Sequence, residues 1–214
     1  KMKFDVIIGN PPYQVSDGGH GASAKPIYQH FISQAISLNP RYLSMIVPAR
    51  WYAGGKGLNE FRESMLADRR LKKLVDFSEA SDCFKGVEIK GGVCYFLWDA
   101  GHGKSKEDAC TVVNMRGGRI VDQSTRKLDA YDVFIRSGKA ISILDKVLAK
   151  EKDFMSNHVS SRKPFDMPTN FDDYKDKYFT GAHKLYRNGG TSWVHPKHIT
   201  KNHEWVGKWK VLLA

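Results

Sequence analysis

Phe4-Asp5-Val6-Ile7-Ile8-Gly9-Asn10-Pro11-Pro12-Tyr13 decides how the rest of this 214-residue chain is read. Val6 to Ile8 form a short apolar, β-branched run that stops at Gly9, the pattern of a strand buried on both faces of a parallel sheet. Asn10 precedes a proline and is therefore pushed into an extended conformation. Pro11 and Pro12 have fixed φ and no N–H, so the backbone there is stiff and can only accept hydrogen bonds. Tyr13 adds a flat ring with a polar tip. The product is a rigid, acceptor-rich corner at the carboxyl end of a strand, where open α/β sheets take their ligands. A planar group carrying an –NH2 suits it. The Asn10 side-chain oxygen and the Pro11 carbonyl can each take one hydrogen while Tyr13 stacks on the ring. Two acceptors off the ring plane favour a pyramidal nitrogen and localise its lone pair for attack, so no strong general base is needed.

Asn10-Pro11-Pro12-Tyr13 resembles the catalytic motif of the adenine-N6 DNA methyltransferases. Tyr28-x-x-Phe31-x-x-x-Ala35, then Ile46-Val47-Pro48-Ala49-Arg50-Trp51, then Gly92-Val93-Cys94-Tyr95-Phe96 look like that family's successive motifs after the catalytic one, in the right order. The resemblance implies S-adenosylmethionine as methyl donor and double-stranded DNA with a flipped adenine as substrate. It implies catalytic roles for Asn10, Pro11, Pro12 and Tyr13, and stacking of the base between Tyr13 and Phe84. It also implies cofactor contacts at Asn10, Pro12 and Phe31, the last packing near the cofactor's adenine. Extruding a base costs about a few kcal/mol, and stacking returns about 1–3 kcal/mol per base, so two rings could offset most of the cost. The same four letters occur in protein-glutamine and some RNA-base methyltransferases, because each must hold a planar nitrogen.

The remaining pattern reads as an α/β fold, the C-terminal half of a doubly wound sheet. Pro26 is placed to open a helix at its first turn and Asn39-Pro40 to end it, with Ile27, Phe31, Ala35 and Leu38 as the apolar face. Tyr42 to Val47 reads as a buried strand closed by Pro48. Leu58 to Ala67 reads as a helix with Leu58, Phe61, Met65 and Leu66 inward. Strands are expected at Leu71 to Phe77, Val93 to Trp98 and Cys110 to Met115, and an amphipathic helix at Ile141 to Ala149. The Gly- and Ser-rich stretch from Gln14 to Lys25 reads as a mobile loop placed to act as a lid. Gly101-His102-Gly103-Lys104-Ser105 ends like a phosphate loop, but Trp98 stands where that pattern needs glycine, which leaves a basic hairpin turn.

Formal charge is uneven. Residues 1–109 carry 15 Lys+Arg against 12 Asp+Glu, a net +3, and residues 110–214 carry 19 against 11, a net +8. The basic half suits a polyanion. The expected division is therefore a catalytic half over 1–109 and, over 110–214, the start of a basic, mixed α+β DNA target-recognition region. Arg162, Lys163, Arg187, Lys197 and Lys201, interleaved with aromatics, are the candidate DNA contacts. The basic extension favours a nucleic-acid substrate over protein glutamine, and the contrasting reading from another class is a non-catalytic DNA-binding specificity module. His183, His195, His198 and His203 have no metal-like spacing to cysteines or carboxylates apart from Glu204 next to His203, so no metal is expected. Cys83, Cys94 and Cys110 fall in no C-x-x-C pattern, no long apolar run suggests a membrane span, and no export signal opens the chain; the expectation is a reduced, cytoplasmic protein.

The glycine-rich cofactor loop of the family, F-x-G-x-G, and its acidic partner on the next strand do not occur in this sequence. The chain is therefore expected to be a fragment of a restriction-modification methyltransferase, with a restriction subunit or a fused nuclease as companion. Two consequences follow: weak binding of S-adenosylmethionine by the chain alone, and a catalytic strand left as an open sheet edge that invites self-association.

Overall fold

The computed structural model describes residues 3–15, 24–105, 107–150, 153–160 and 163–209, and the chain divides into two units, Lys1–Leu148 and Ala149–Ala214. The first unit runs through β1 (Val6–Gly9), β2 (Gln14–Val15), β3 (Lys25–Pro26), α1 (Tyr28–Ser37), β4 (Tyr42–Pro48), α2 (Asn59–Ala67), β5 (Leu71–Phe77), β6 (Val93–Asp99), β7 (Cys110–Arg116) and β8 (Arg119–Arg126). Helix α3 (Gly138–Lys150) crosses the division. Six strands form one mixed sheet in the order β1-β4-β6-β5-β7-β8. β1 is parallel to β4 and β5 to β7, β6 is antiparallel to both its neighbours, and β8 is antiparallel to β7. The carboxyl ends of β1, β4, β5 and β7 therefore share one end of the sheet.

Alternation makes one face of that sheet apolar. Leu43, Met45 and Val47 of β4 join Cys94, Phe96 and Trp98 of β6, Leu74 of β5 and Val112 of β7 in a single core. Tyr28, Ile32 and Ala35 of α1 and Phe61, Met65 and Leu66 of α2 belong to the same core, so both helices cover the same face. The inward residues expected for α2, Leu58 included, are all buried.

Several expectations are corrected. Among the described residues β1 is not covered on both faces: β4 is its one strand neighbour there, and Ile8 is 78% exposed. Within these residues the strand is the open edge anticipated above. Pro26 does not open α1. It pairs with Gln14 in the short β2–β3 ladder, because a fixed φ suits extended backbone as well as a helix start, and its carbonyl accepts from Gln29 Nε2 at 3.0 Å. The buried stripe of α1 is Tyr28, Gln29, Ile32 and Ala35, one step round from the expected face, leaving Phe31 and Leu38 exposed. Both stripes satisfy helical spacing, and packing against β4 selects between them. Of the expected lid, residues 16–23 lie outside the described residues, while its flanks form β2 and β3.

The sheet does not stop at residue 109. β7 pairs in parallel with β5 and carries β8 beyond it. Residues 100–105 and 107–109 accordingly belong to a crossover from β6 to β7 rather than a hairpin turn, since β5 occupies the place between those strands. β8 is mostly polar (Arg119, Asp122, Gln123, Ser124, Thr125), which hides it from hydrophobic periodicity.

In the second unit, β9 (His183–Arg187) and β10 (Gly190–Val194) form a hairpin connected by Asn188-Gly189. Asn-Gly is a strong hairpin signal that the sequence reading passed over. Lys175 exchanges two backbone hydrogen bonds with Trp193, of 2.8 and 2.7 Å, extending the hairpin by one bridge. Among the described residues no helix is long and apolar enough to cross a membrane.

Candidate active site at the carboxyl end of the sheet

β1 delivers Asn10 to the end of the sheet with its side chain exposed and without a hydrogen bond among the described residues. Pro11 is buried, Pro12 is exposed, and no described backbone N–H donates to the Pro11 carbonyl. The corner is pinned just downstream, where Ile27 N donates to the Tyr13 carbonyl at 3.2 Å. Two acceptors, Asn10 Oδ1 and Pro11 O, are thus left unmatched on a stiff backbone.

Tyr13 is half-buried, and its hydroxyl is enclosed without a hydrogen-bond partner. Burial raises the phenol pKa above its ordinary value, with the neighbouring Cys83 and Cys94 thiols adding to the effect. The hydroxyl stays protonated at neutral pH, so Tyr13 can stack but cannot serve as a base there. Cys83 comes from the turn after β5, and the residue following it is Phe84, half-buried, with its N–H on the Ala80 carbonyl at 2.8 Å. Tyr13 and Phe84 therefore lie at the same end of the sheet. Phe31 is 44% exposed on α1.

The floor of this end is aromatic and buried. Trp51 and Tyr52, in the turn after β4, are buried, with Trp51 Nε1 and the Tyr52 hydroxyl facing the Cys94 thiol. Burial holds the Tyr52 phenol well above its usual range and pushes the Cys94 thiol up to about 12. Gly92 closes the floor: its φ is 79°, a Cβ there would lie 2.0 Å from the Phe77 carbonyl, and its own carbonyl accepts from Ala49 N at 3.0 Å. Only glycine permits that approach.

Sequence reasoning missed Arg136. This residue follows β8 by ten positions, yet it pairs with Asp76 at the end of β5 and lies over the Tyr52 ring, 5.4 Å from its centroid. Phe134 packs on Tyr52 with centroids 4.4 Å apart. Between this segment, the turn after β4 and the loop before β6 lies a cleft of about 460 Å³, lined by Arg50, Tyr52, Gly54, Lys90, Phe134 and Arg136 among others. The missing signal was long-range: nothing in the local sequence of 128–137 marks a return to the site.

Of the candidate DNA contacts, Lys163 and Lys197 are exposed. Arg187 is held inside the second unit, donating to Ser192 Oγ at 2.8 Å and Asp176 at 3.3 Å and lying over the Tyr174 ring. Lys201 pairs with Asp166 at 3.1 Å. Arg162 lies outside the described residues. Of the histidines, His198 pairs with Asp173, while His195 accepts from Lys197 N and stacks on Phe179.

Residues 1–84 match the Eco57I restriction-modification methylase family. A Mycoplasma pneumoniae protein described as an uncharacterized adenine-specific methylase is 47% identical over 100 residues, which cover 45% of this chain and 24% of that protein. The chain thus spans about a quarter of the relative's length. Among solved structures, the type I restriction-modification system methyltransferase subunit from Streptococcus thermophilus superposes with a TM-score of 0.37 at 9% identity, covering 71% of this chain and 33% of that one. A chain from a type I restriction-modification system gives 0.37 at 15% identity, over 75% and 34%. Superpositions this loose carry no weight for function.

Proposed function

We propose that this chain is the catalytic half, with the start of a DNA-recognition region, of a restriction-modification methyltransferase that transfers a methyl group from S-adenosylmethionine to N6 of a flipped adenine. The observation that carries it is the pair of unmatched acceptors, Asn10 Oδ1 and Pro11 O, held on a proline-stiffened corner beside the half-exposed ring of Tyr13. The family match over residues 1–84 and the relative described as an adenine-specific methylase support the choice of adenine over other planar amines.

In this reading the two acceptors take the two amine hydrogens and draw the nitrogen towards a pyramidal shape, so that its lone pair points away from the ring. Tyr13 holds the base by stacking, with Phe84 on the other side. When bound, the methyl donor would supply a methyl group on a sulfonium, whose S–C bond would break onto sulfur as the lone pair that Asn10 and Pro11 expose forms the new N–C bond. The amine proton, acidic only after alkylation, leaves to water, so this reading requires no base beside Asn10. Phe31 and Pro12, both exposed, would with Asn10 hold one side of such a cofactor, Phe31 offering a face to its adenine. A restriction subunit or fused nuclease as companion, the DNA contacts of the second unit and a cytoplasmic setting belong to the same proposal.

The test is methyl transfer to duplex DNA by a full-length protein carrying this chain, with Asn10→Ala as the variant. Transfer should fall at least a hundredfold with DNA binding retained. Unchanged transfer, or transfer to glutamine or RNA in place of adenine, overturns the proposal.

A further inference from the structure

Arg50 and Lys90 line the same cleft, both exposed, and neither has a carboxylate partner among the described residues. The third cation, Arg136, is matched from beneath by Asp76, and no acidic side chain lines the cleft. The floor is the aromatic pair Tyr52 and Phe134. Gly91 stands at the wall with open space where a side chain would be, leaving room for a bulky backbone. Two unmatched cations in a concave, acid-free site select an anion. An arginine fork and a lysine point charge are the pair that suits phosphate.

Position identifies the phosphate. The cleft sits at the end of β4 and the start of β6, one and two strands from β1. Strands lie about 4.8 Å apart, so the cleft is about 5–10 Å along the sheet from the Asn10 corner. That is within the reach of one nucleotide. We infer that the cleft binds a phosphodiester of the strand that carries the target base, next to the extruded nucleotide, with Arg50 and Lys90 as its two cationic contacts. The identity of the nucleotide rests on the methylation reading above.

The test is the salt dependence of binding between this chain and a labelled DNA duplex bearing one mismatched adenine, followed by fluorescence anisotropy. Arg50→Gln with Lys90→Gln should flatten the slope of log K against log [KCl] by about 0.9, the value for one phosphate charge no longer neutralised. Lys72→Gln with Lys73→Gln removes the same charge from the start of β5, at the other end of the sheet, and should leave the slope unchanged. Lys90→Glu alone should bind more weakly than Lys90→Gln. An unchanged slope in the cleft variant, equal flattening in the Lys72 and Lys73 variant, equal affinities for the two Lys90 variants, or no duplex binding by the parent chain overturns the inference. Methyl transfer separates the two claims. Transfer lost in Asn10→Ala with an unflattened cleft slope removes the phosphate site and keeps the methylation reading. Transfer that survives Asn10→Ala with a flattened slope removes that reading, and with it the assignment to the target nucleotide.

Discussion

Arg136 reaches back sixty residues to grip Asp76, donating to its two carboxylate oxygens at 2.6 and 3.0 Å and, through Nη1, to the Gly91 carbonyl at 2.9 Å. Asp76 is 2% exposed and also accepts from Asn114 Nδ2 at 3.1 Å. The paired strands β5 and β7, the loop before β6 and the segment after β8 are thereby tied together beside the candidate site. Removing one partner strands the other's charge. Asp76→Ala should cost roughly 3 kcal/mol, the low end for a broken buried pair because Arg136 keeps some access to water. Replacing both residues by apolar ones of similar size should cost less. Urea unfolding of the two variants measures the difference.

Tyr13 separates stacking from acid–base work. Its hydroxyl is buried and unpartnered, so Tyr13→Phe should be neutral or mildly stabilising and should leave the pH profile of methyl transfer unmoved. Tyr13→Ala should lose about 1–3 kcal/mol of base binding. Affinity for a duplex with a mismatched adenine, measured for both variants, gives the comparison.

Asp68 ties the end of α2 to the core. It accepts from Trp98 Nε1 at 2.9 Å and from Arg70 Nε at 2.8 Å and Nη2 at 2.9 Å. Burial opposes its ionisation, but these bonds, with one from the Arg70 backbone, outweigh burial and hold its pKa below the ordinary value. A depressed carboxylate contributes stability that is present above its unfolded pKa, about 3.9, and is lost as pH falls through the lower folded value. Asp68→Ala should therefore cost about 1–3 kcal/mol at neutral pH by stranding the Trp98 indole N–H. The difference from the parent, followed by thermal melts, should shrink once the pH drops below about 4.

Thiol reactivity should report the packing of the site floor. Burial pushes the Cys94 and Cys110 thiols up to about 12, whereas Cys83 is only partly buried and less perturbed. A maleimide should label Cys83 first in the native protein, and Cys94 and Cys110 only on unfolding. Rapid native labelling at Cys94 would contradict the closed aromatic floor.

The open β1 edge should be sticky. Val6 and Ile8 expose apolar surface beside unpaired strand backbone, a template for a second chain. Ile8→Lys should lower self-association at high concentration without unfolding the protein, as read by sedimentation velocity.

Particular residues show how far the sequence reached. Asn10-Pro11-Pro12-Tyr13 was legible because proline geometry and a strand-ending glycine act within a few bonds. The bounds of β4, α2 and β5 were legible because apolar periodicity sets them locally. Three things were not: which stripe of α1 faces inward, that the sheet continues through the polar β8, and that Arg136 and Phe134 come back over Tyr52. Each of these depends on a partner tens of residues away, and the free energy that selects among locally equivalent choices comes from that distant surface. Local chemistry determined the corner; the packing of remote segments decided what stands around it.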